Sequence, residues 1–200
     1  IQPTQAPAFV YAERPTEVPS VNGETSQGQL REARLKVAAF NVLNYFNGNG
    51  DGTGFPTSRG ADTFEEFVRQ RDKIVEALKA LDADVVGLME IENDEGENNA
   101  LTDLVTALNA SIGSDMYAAV ETGKVEPAEA DPDEIRVAMI YKPAAVSLKG
   151  DFAILTSAGN ALYDDDRNRP AIAQTFIENG TDEVFTVVVN HFKSKGSGCG

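Results

Sequence analysis

The sequence predicts an α/β protein in which helices pack on a mixed β-sheet. Three observations support this fold class. Short apolar runs typical of buried strands alternate with amphipathic helical patterns in the first half of the chain. In the second half apolar runs follow one another without helices, which favours a mixed sheet over a purely parallel one. The chain has 200 residues, 42% of them hydrophobic, and is therefore long enough to enclose a core.

The chain divides into an arm and a domain. Residues 1–34 are rich in Pro, Gln, Glu and Ser without periodicity, which predicts a linker or extended arm. An apolar run begins at Leu35, and we predict a domain over residues 35–200. The sequence contains no run of about 18 apolar residues, so no membrane span is expected.

The domain is predicted to contain five main strands and two helices. Thr63 and Glu66 match a capping box, which marks the start of the first helix. The second helix is expected to stop near Gly113, because glycine commonly ends helices. Residues 47–60 are predicted to form a loop, and 143–170 an irregular or short-strand connection. In chain order the predicted elements are a strand at 35–40, a helix at 63–81, a strand at 84–89, a helix around 101–108, and strands at 135–141, 171–177 and 184–189.

The chain is strongly acidic, with 32 Asp and Glu against 17 Lys and Arg and a formal net charge of −15. Such a balance excludes a high-affinity coat for nucleic acid, which relies on basic residues. Two explanations remain open. The acidity keeps a secreted protein soluble, or some of the carboxylates hold metal ions.

Polar side chains follow three of the predicted strands directly. Asn41 follows the first strand, Glu90 the second, and Asn190 with His191, the only histidine, the last. Sites in α/β proteins gather beyond the carboxyl ends of strands. Glu90 and Asn41 supply the oxygen ligands that Mg²⁺ prefers, and His191 can donate to phosphate oxygens or accept a proton.

Each of these residues also has a plain structural explanation. Asn41 alone is more typical of a turn. Glu90 is equally compatible with a solvated strand end, and His191 with a buried structural histidine. The pattern of all three indicates a candidate metal site.

Five motifs occur in order over roughly residues 35–199: Val37–Phe46, Phe67–Val75, Ala83–Asn93, Arg167–Pro170 and Asn190–Lys195. Together they resemble the motifs of the endonuclease/exonuclease/phosphatase superfamily. The similarity is strongest to the large extracellular nucleases of bacteria, the ExeM-like group.

The resemblance implies a four-layer α/β sandwich, in which two β-sheets pack face to face with helices outside. It also implies a divalent-metal-dependent phosphodiesterase, namely a secreted (extracellular or periplasmic) DNA nuclease of low sequence specificity. Asn41 and Glu90 are the implied metal residues, with Mg²⁺ or Mn²⁺ as the ion and Ca²⁺ as an alternative. His191 is similar to the catalytic histidine of the pancreatic-type deoxyribonucleases.

Further roles follow from the same resemblance. Arg169 is similar to a phosphate-contacting arginine, and either Asp133 or Glu134 is the implied carboxylate that orients the histidine. Lys193 and Lys195 are candidates to neutralise substrate phosphates, with ordinary solvated lysines as the alternative.

Two motifs of that superfamily do not occur in these 200 residues: a Gly-Asp-x-Asn segment and a later Asp-His pair. We therefore expect a missing carboxy-terminal part of the catalytic domain, and with it a disulfide partner for Cys199, the only cysteine. Two other functions stay open. One is a phosphodiesterase or phosphatase for smaller or lipid phosphate esters, and the other is a non-catalytic secreted module on the same scaffold.

Overall fold

The computed structural model describes residues 35–125, 133–164 and 168–192. The predicted arm at 1–34 and the candidate residues Lys193, Lys195 and Cys199 lie outside these ranges. The elements, in chain order, are β1 Val37–Tyr45, α1 Phe64–Leu81, β2 Val85–Glu92, α2 Ala100–Ile112, β3 Ala118–Ala119, β4 Ile135–Tyr141, β5 Val146–Leu148, β6 Ala153–Leu155, β7 Arg169–Glu178 and β8 Val184–His191.

The first helix begins where the capping box predicts. The Thr63 side chain accepts a hydrogen bond from the backbone N–H of Glu66, and the Glu66 carboxylate accepts one from the backbone N–H of Asp62. The second helix ends at Gly113, whose φ of 83° is left-handed and therefore suits glycine. Neither helix in the described ranges is long and apolar enough to cross a membrane.

The strands form two sheets. The first has the order β1-β2-β4-β3, in which β1 and β2 are parallel and the other pairs are antiparallel. In the second sheet β7 pairs in antiparallel fashion with β5, β6 and β8. The first sheet is therefore mixed, as the sequence predicts.

Alternate residues of the first sheet pack into two different cores. On one face Val86, Leu88 and Ile140 contact the helices; the helix residues Phe67, Leu78, Leu104 and Leu108 belong to this core. On the other face Val85, Val137 and Met139 pack against the second sheet; Ile172, Phe176 and Val189 belong to that core.

The sheets approach closely at Gly87 of β2. A Cβ atom built there would lie 2.7 Å from a methyl group of Val189 on β8. Helices, first sheet and second sheet thus form stacked layers, which confirms the predicted class of two packed sheets with helices outside. Within the described residues no helix covers the outer face of the second sheet.

The strands extend further than the apolar runs suggest. β1 continues to Tyr45 and β2 to Glu92, so Asn41 and Glu90 lie within strands instead of beyond their ends. The prediction of their position was wrong because a bulge lets pairing resume after an irregular residue. The region 143–170 contains the short strands β5 and β6, as expected.

Candidate active site

Asn41 and Glu90 lie side by side where the pairing of β1 with β2 is interrupted. Regular pairing ends with Asn41 opposite Met89, and residues 42–44 then lie opposite Glu90 alone. Glu90 is also the extra residue in the pairing of β2 with β4. Because β-bulges turn side chains out of the regular alternation, they recur beside functional sites.

The bulge holds three non-glycine residues in the left-handed region of backbone space. The φ angles are 56° at Leu43, 50° at Asn44 and 65° at Glu90. Each such residue costs on the order of 1–3 kcal/mol and persists only where surrounding contacts enforce it. Strained backbone is therefore concentrated around Asn41 and Glu90.

Gln70 of α1 is one of the contacts that enforce the bulge. Its side-chain amide donates to the backbone carbonyls of Val42, at 3.0 Å, and Leu43, at 2.7 Å. In the bulge these carbonyls lie outside the regular sheet pairing, so Gln70 replaces the partners they would otherwise have. The helix thereby fixes the strand immediately after Asn41.

One oxygen of Glu90 is the meeting point of the three predicted residues. Asn41 Nδ2 donates to Glu90 Oε1 at 2.8 Å, and His191 Nε2 lies 3.5 Å from the same oxygen. Asn41 is held in this orientation because its Oδ1 accepts the backbone N–H of Leu43 at 2.8 Å. The structure thus brings Asn41, Glu90 and His191 together from β1, β2 and β8.

His191 is largely buried, with 18% of its side chain exposed. Burial, and next the positive charge of Arg169, lower the pKa of His191, whereas the carboxylates of Glu90 and Asp133 oppose this shift. The net shift favours the neutral imidazole. Its Nδ1 atom is buried and has no hydrogen-bond partner among the described residues.

A pair of arginines shares one carboxylate beside the histidine. Arg169 lies opposite His191 in the β7–β8 pairing, and its guanidinium is 2.9 Å from Asp133. Arg59 contacts the other oxygen of Asp133 at 3.0 Å and lies 3.9 Å from Glu134. Around the imidazole, the two arginines therefore face the carboxylates of Asp133, Glu134 and Glu90.

The predicted orienting carboxylate does not hydrogen-bond to His191 in the described part of the chain. Asp133 binds the arginines and the backbone N–H of Ile135, and Glu134 lies near Arg59. Asp133 acts on the imidazole only through its charge. The carboxylate in contact with His191 is Glu90.

The donor atoms fit a hard divalent cation that keeps most of its water. Both contacts to Glu90 use Oε1, so Oε2 has no partner among the described residues. Mg²⁺ is commonly held by one or two carboxylates together with waters and substrate phosphates. Within the described ranges no three His, Cys, Asp or Glu side chains form a metal-binding group.

Glu92 is a half-buried carboxylate near the site that the sequence did not single out. Its Oε2 accepts the backbone N–H of Asn47 at 3.2 Å. Burial, and next the charge of Asp94, raise the pKa of Glu92 to about 7. It lines a cavity of about 280 Å³ together with Asp133 and Glu134.

Sequence reasoning also missed Gln70 and Arg59. Gln70 had a signal, because a polar residue lies on the apolar stripe of α1, three positions after Phe67 and four before Ile74. Arg59 had none. It belongs to an aperiodic loop, and its partner Asp133 is 74 positions away.

Comparisons with known proteins show a shared fold. No family model and no curated protein matches the sequence. An endonuclease/exonuclease/phosphatase family protein from Bacteroides thetaiotaomicron superposes with a TM-score of 0.51 at 14% identity, covering 82% of this chain and 52% of that one. The human Nocturnin catalytic domain gives 0.49 at 16%, with 82% and 51% covered. An endonuclease/exonuclease/phosphatase from Beutenbergia cavernae gives 0.46 at 17%, with 82% and 39% covered.

The fold is therefore the two-sheet α/β sandwich of the endonuclease/exonuclease/phosphatase proteins, which the sequence motifs imply. The chain spans about half the length of the first two of these structures. At this low identity the superposition establishes architecture, and the chemistry has to be argued from the side chains.

Proposed function

We propose that the protein hydrolyses phosphodiester bonds with the help of a divalent metal ion, and that its substrate is DNA in an extracellular setting. The observation that carries this proposal is the meeting of Asn41, Glu90 and His191 at one carboxylate oxygen, beside the Arg169 guanidinium. A carboxylate, a neutral imidazole and a cation within one cluster are the groups that phosphoryl chemistry requires.

Glu90 and Asn41 are the residues that would hold Mg²⁺ or Mn²⁺. The free Oε2 of Glu90 offers charge, and Asn41 Oδ1 retains a lone pair besides the one that accepts Leu43 N–H. A bound divalent ion supplies Lewis-acid stabilisation of the negative charge that develops on a phosphoryl oxygen. The Asn41 amide has a second task, since it fixes the rotamer of Glu90.

His191 and Arg169 stabilise the same charge from the other side. A neutral imidazole next to the scissile phosphate donates one N–H to a non-bridging oxygen. Arg169 adds a fixed positive charge, and Asp133 holds it in place. We assign water activation to no residue of this chain, since the second histidine that the resemblance implies does not occur in the sequence.

The test is supercoiled-plasmid nicking by the full-length protein with Mg²⁺ or Mn²⁺. EDTA should abolish nicking, and Glu90→Gln and His191→Ala should each reduce it by about 10²–10³-fold. Glu76→Gln, on the exposed face of α1, is the matched control and should be neutral. Metal-independent nicking, or wild-type activity in Glu90→Gln, would refute the proposal.

Assays with other substrates and of metal binding separate the other two functions. Turnover of sphingomyelin or inositol phosphates in preference to DNA would identify a small or lipid phosphate ester as the substrate. If Mn²⁺ does not bind and no phosphoester is hydrolysed, the scaffold is a non-catalytic module. Fractionation of the producing cells tests the extracellular location.

A further inference from the structure

A groove of about 570 Å³ runs between α1 and the bulge of β1 and begins at the candidate active site. Asn41 and Leu43 line one wall, and Arg69 and Lys73 of α1 line the other. Leu43 is 71% exposed on the rim. The groove therefore opens to solvent directly beside the residue that positions Glu90.

The groove is basic although the chain is acidic. Three cations, Arg59, Arg69 and Lys73, line it with Glu66 as the one carboxylate. Arg59 is already paired with Asp133, so Arg69 and Lys73 are the charges available to a ligand. Glu66 lies 3.8 Å from Arg69, and both side chains are about half exposed, so this pair neutralises little. Lys73 forms no ion pair within the described ranges. In a protein with 32 acidic and 17 basic residues, this concentration of positive charge needs an explanation.

Helix geometry spaces the cations along the wall. Arg69 and Lys73 are four positions apart, so they share one face of α1 at an axial separation of about 6 Å. Gln70 lies between them and ties the helix to the opposite wall through the Val42 and Leu43 carbonyls. The two charges are thus carried by an element that is fixed relative to Asn41.

We propose that this groove binds the phosphates of a nucleic-acid strand that flank the scissile one, with Arg69 and Lys73 as the contacting residues. This inference rests on the proposed function and narrows its substrate to a chain of phosphodiesters. A substrate with a single phosphate reaches Glu90 and His191 without entering the groove. Backbone contacts of this kind bind DNA without reading its sequence.

The experiment uses the full-length protein and the double variant Arg69→Gln/Lys73→Gln. The matched control is Lys79→Gln/Lys149→Gln, which removes the same charge from α1 and an exposed turn outside the groove. Binding of a fluorescent single-stranded oligonucleotide is measured by anisotropy over a range of salt. Hydrolysis of bis(4-nitrophenyl) phosphate, which has one phosphate, is measured in parallel.

For a single strand, each lost phosphate contact reduces the slope of log binding constant against log salt concentration by about 0.7. The slope of the groove variant, which loses two contacts, should therefore be smaller by about 1.4. Its oligonucleotide affinity at low salt should fall about tenfold. The control should keep the wild-type slope, and both double variants should hydrolyse the small substrate normally. Arg69→Lys/Lys73→Arg, which keeps the charges, should retain the slope.

The outcomes separate the two proposals. A normal salt slope in the groove variant overturns the subsite, as does an equal loss on the small substrate. If the wild type binds the oligonucleotide through the groove but hydrolyses neither substrate, the subsite stands and the proposed function fails.

Discussion

Gly87 marks the closest approach of the two sheets, and Gly87→Ala is the sharpest test of how they pack. The added Cβ would lie 2.7 Å from Val189 Cγ2 and 3.3 Å from Cγ1. Val189 is buried and β-branched, so it has little freedom to turn away. The φ of Gly87 is not in the left-handed region, so the penalty comes from crowding alone.

The magnitude follows from two opposing effects. Overpacking a core usually destabilises the fold by about 1–3 kcal/mol. Replacing glycine in a compatible conformation stabilises the fold by about 0.4–1 kcal/mol, because the unfolded chain then has less conformational entropy to lose. We expect a net loss of about 1–2 kcal/mol in the free energy of unfolding, measured by urea denaturation. Gly159→Ala is the matched control, because its nearest contact is 3.6 Å and its φ is also not left-handed. Without crowding it should be more stable than the wild type by about 0.4–1 kcal/mol.

A double-mutant cycle isolates the contact. Val189→Ala alone should cost about 1.6 kcal/mol for two buried carbon groups, plus a cavity term. In Gly87→Ala/Val189→Ala the crowding disappears and the cavity is partly filled. The double variant should therefore be at least about 1 kcal/mol more stable than the sum of the single losses. Strict additivity, or a Gly87→Ala protein as stable as the wild type, would refute the packing described for β2 and β8.

Three further predictions concern the site and its support. The pKa of Glu92 is raised from an ordinary 4.5 to about 7, so its ionisation destabilises the fold as pH rises through that window. The stability gained by Glu92→Gln should therefore grow from pH 4.5 to 7 and then level off. Urea midpoints measured across this pH range test the prediction. Gln70→Leu should weaken Mn²⁺ binding about tenfold by calorimetry, yet have little further effect in an Asn41→Ala background if it acts through that residue. Tyr45→Phe removes the buried hydroxyl that donates to Asp103, and should lower the free energy of unfolding by about 1–3 kcal/mol. An unchanged midpoint of thermal unfolding would contradict this prediction.

The elements were predictable because each depends on local pattern. The capping box at Thr63 and the glycine at 113 place helix ends through contacts three or four residues away. The apolar run at 135–141 matches β4 at both ends, since this strand is buried on both faces and every position is apolar except Arg136 and Tyr141.

The site was predictable only in part. Asn41, Glu90 and His191 stand out because each follows an apolar run, although periodicity cannot reveal the bulges that keep two of them within strands. The roles of Arg59 and Glu92 depend on partners far along the chain or on burial, and no local pattern encodes either. Contacts across layers must be seen in three dimensions.

The single imidazole of these 200 residues has a practical consequence. In protein labelled at histidine, an NMR spectrum contains one ring system, and that ring touches Glu90. Its resonances need no assignment by mutagenesis. Titration with Mg²⁺ would displace them, and paramagnetic Mn²⁺ would broaden them, before any substrate is chosen. The chain thus carries a built-in spectroscopic probe at the point where its chemistry is proposed to occur.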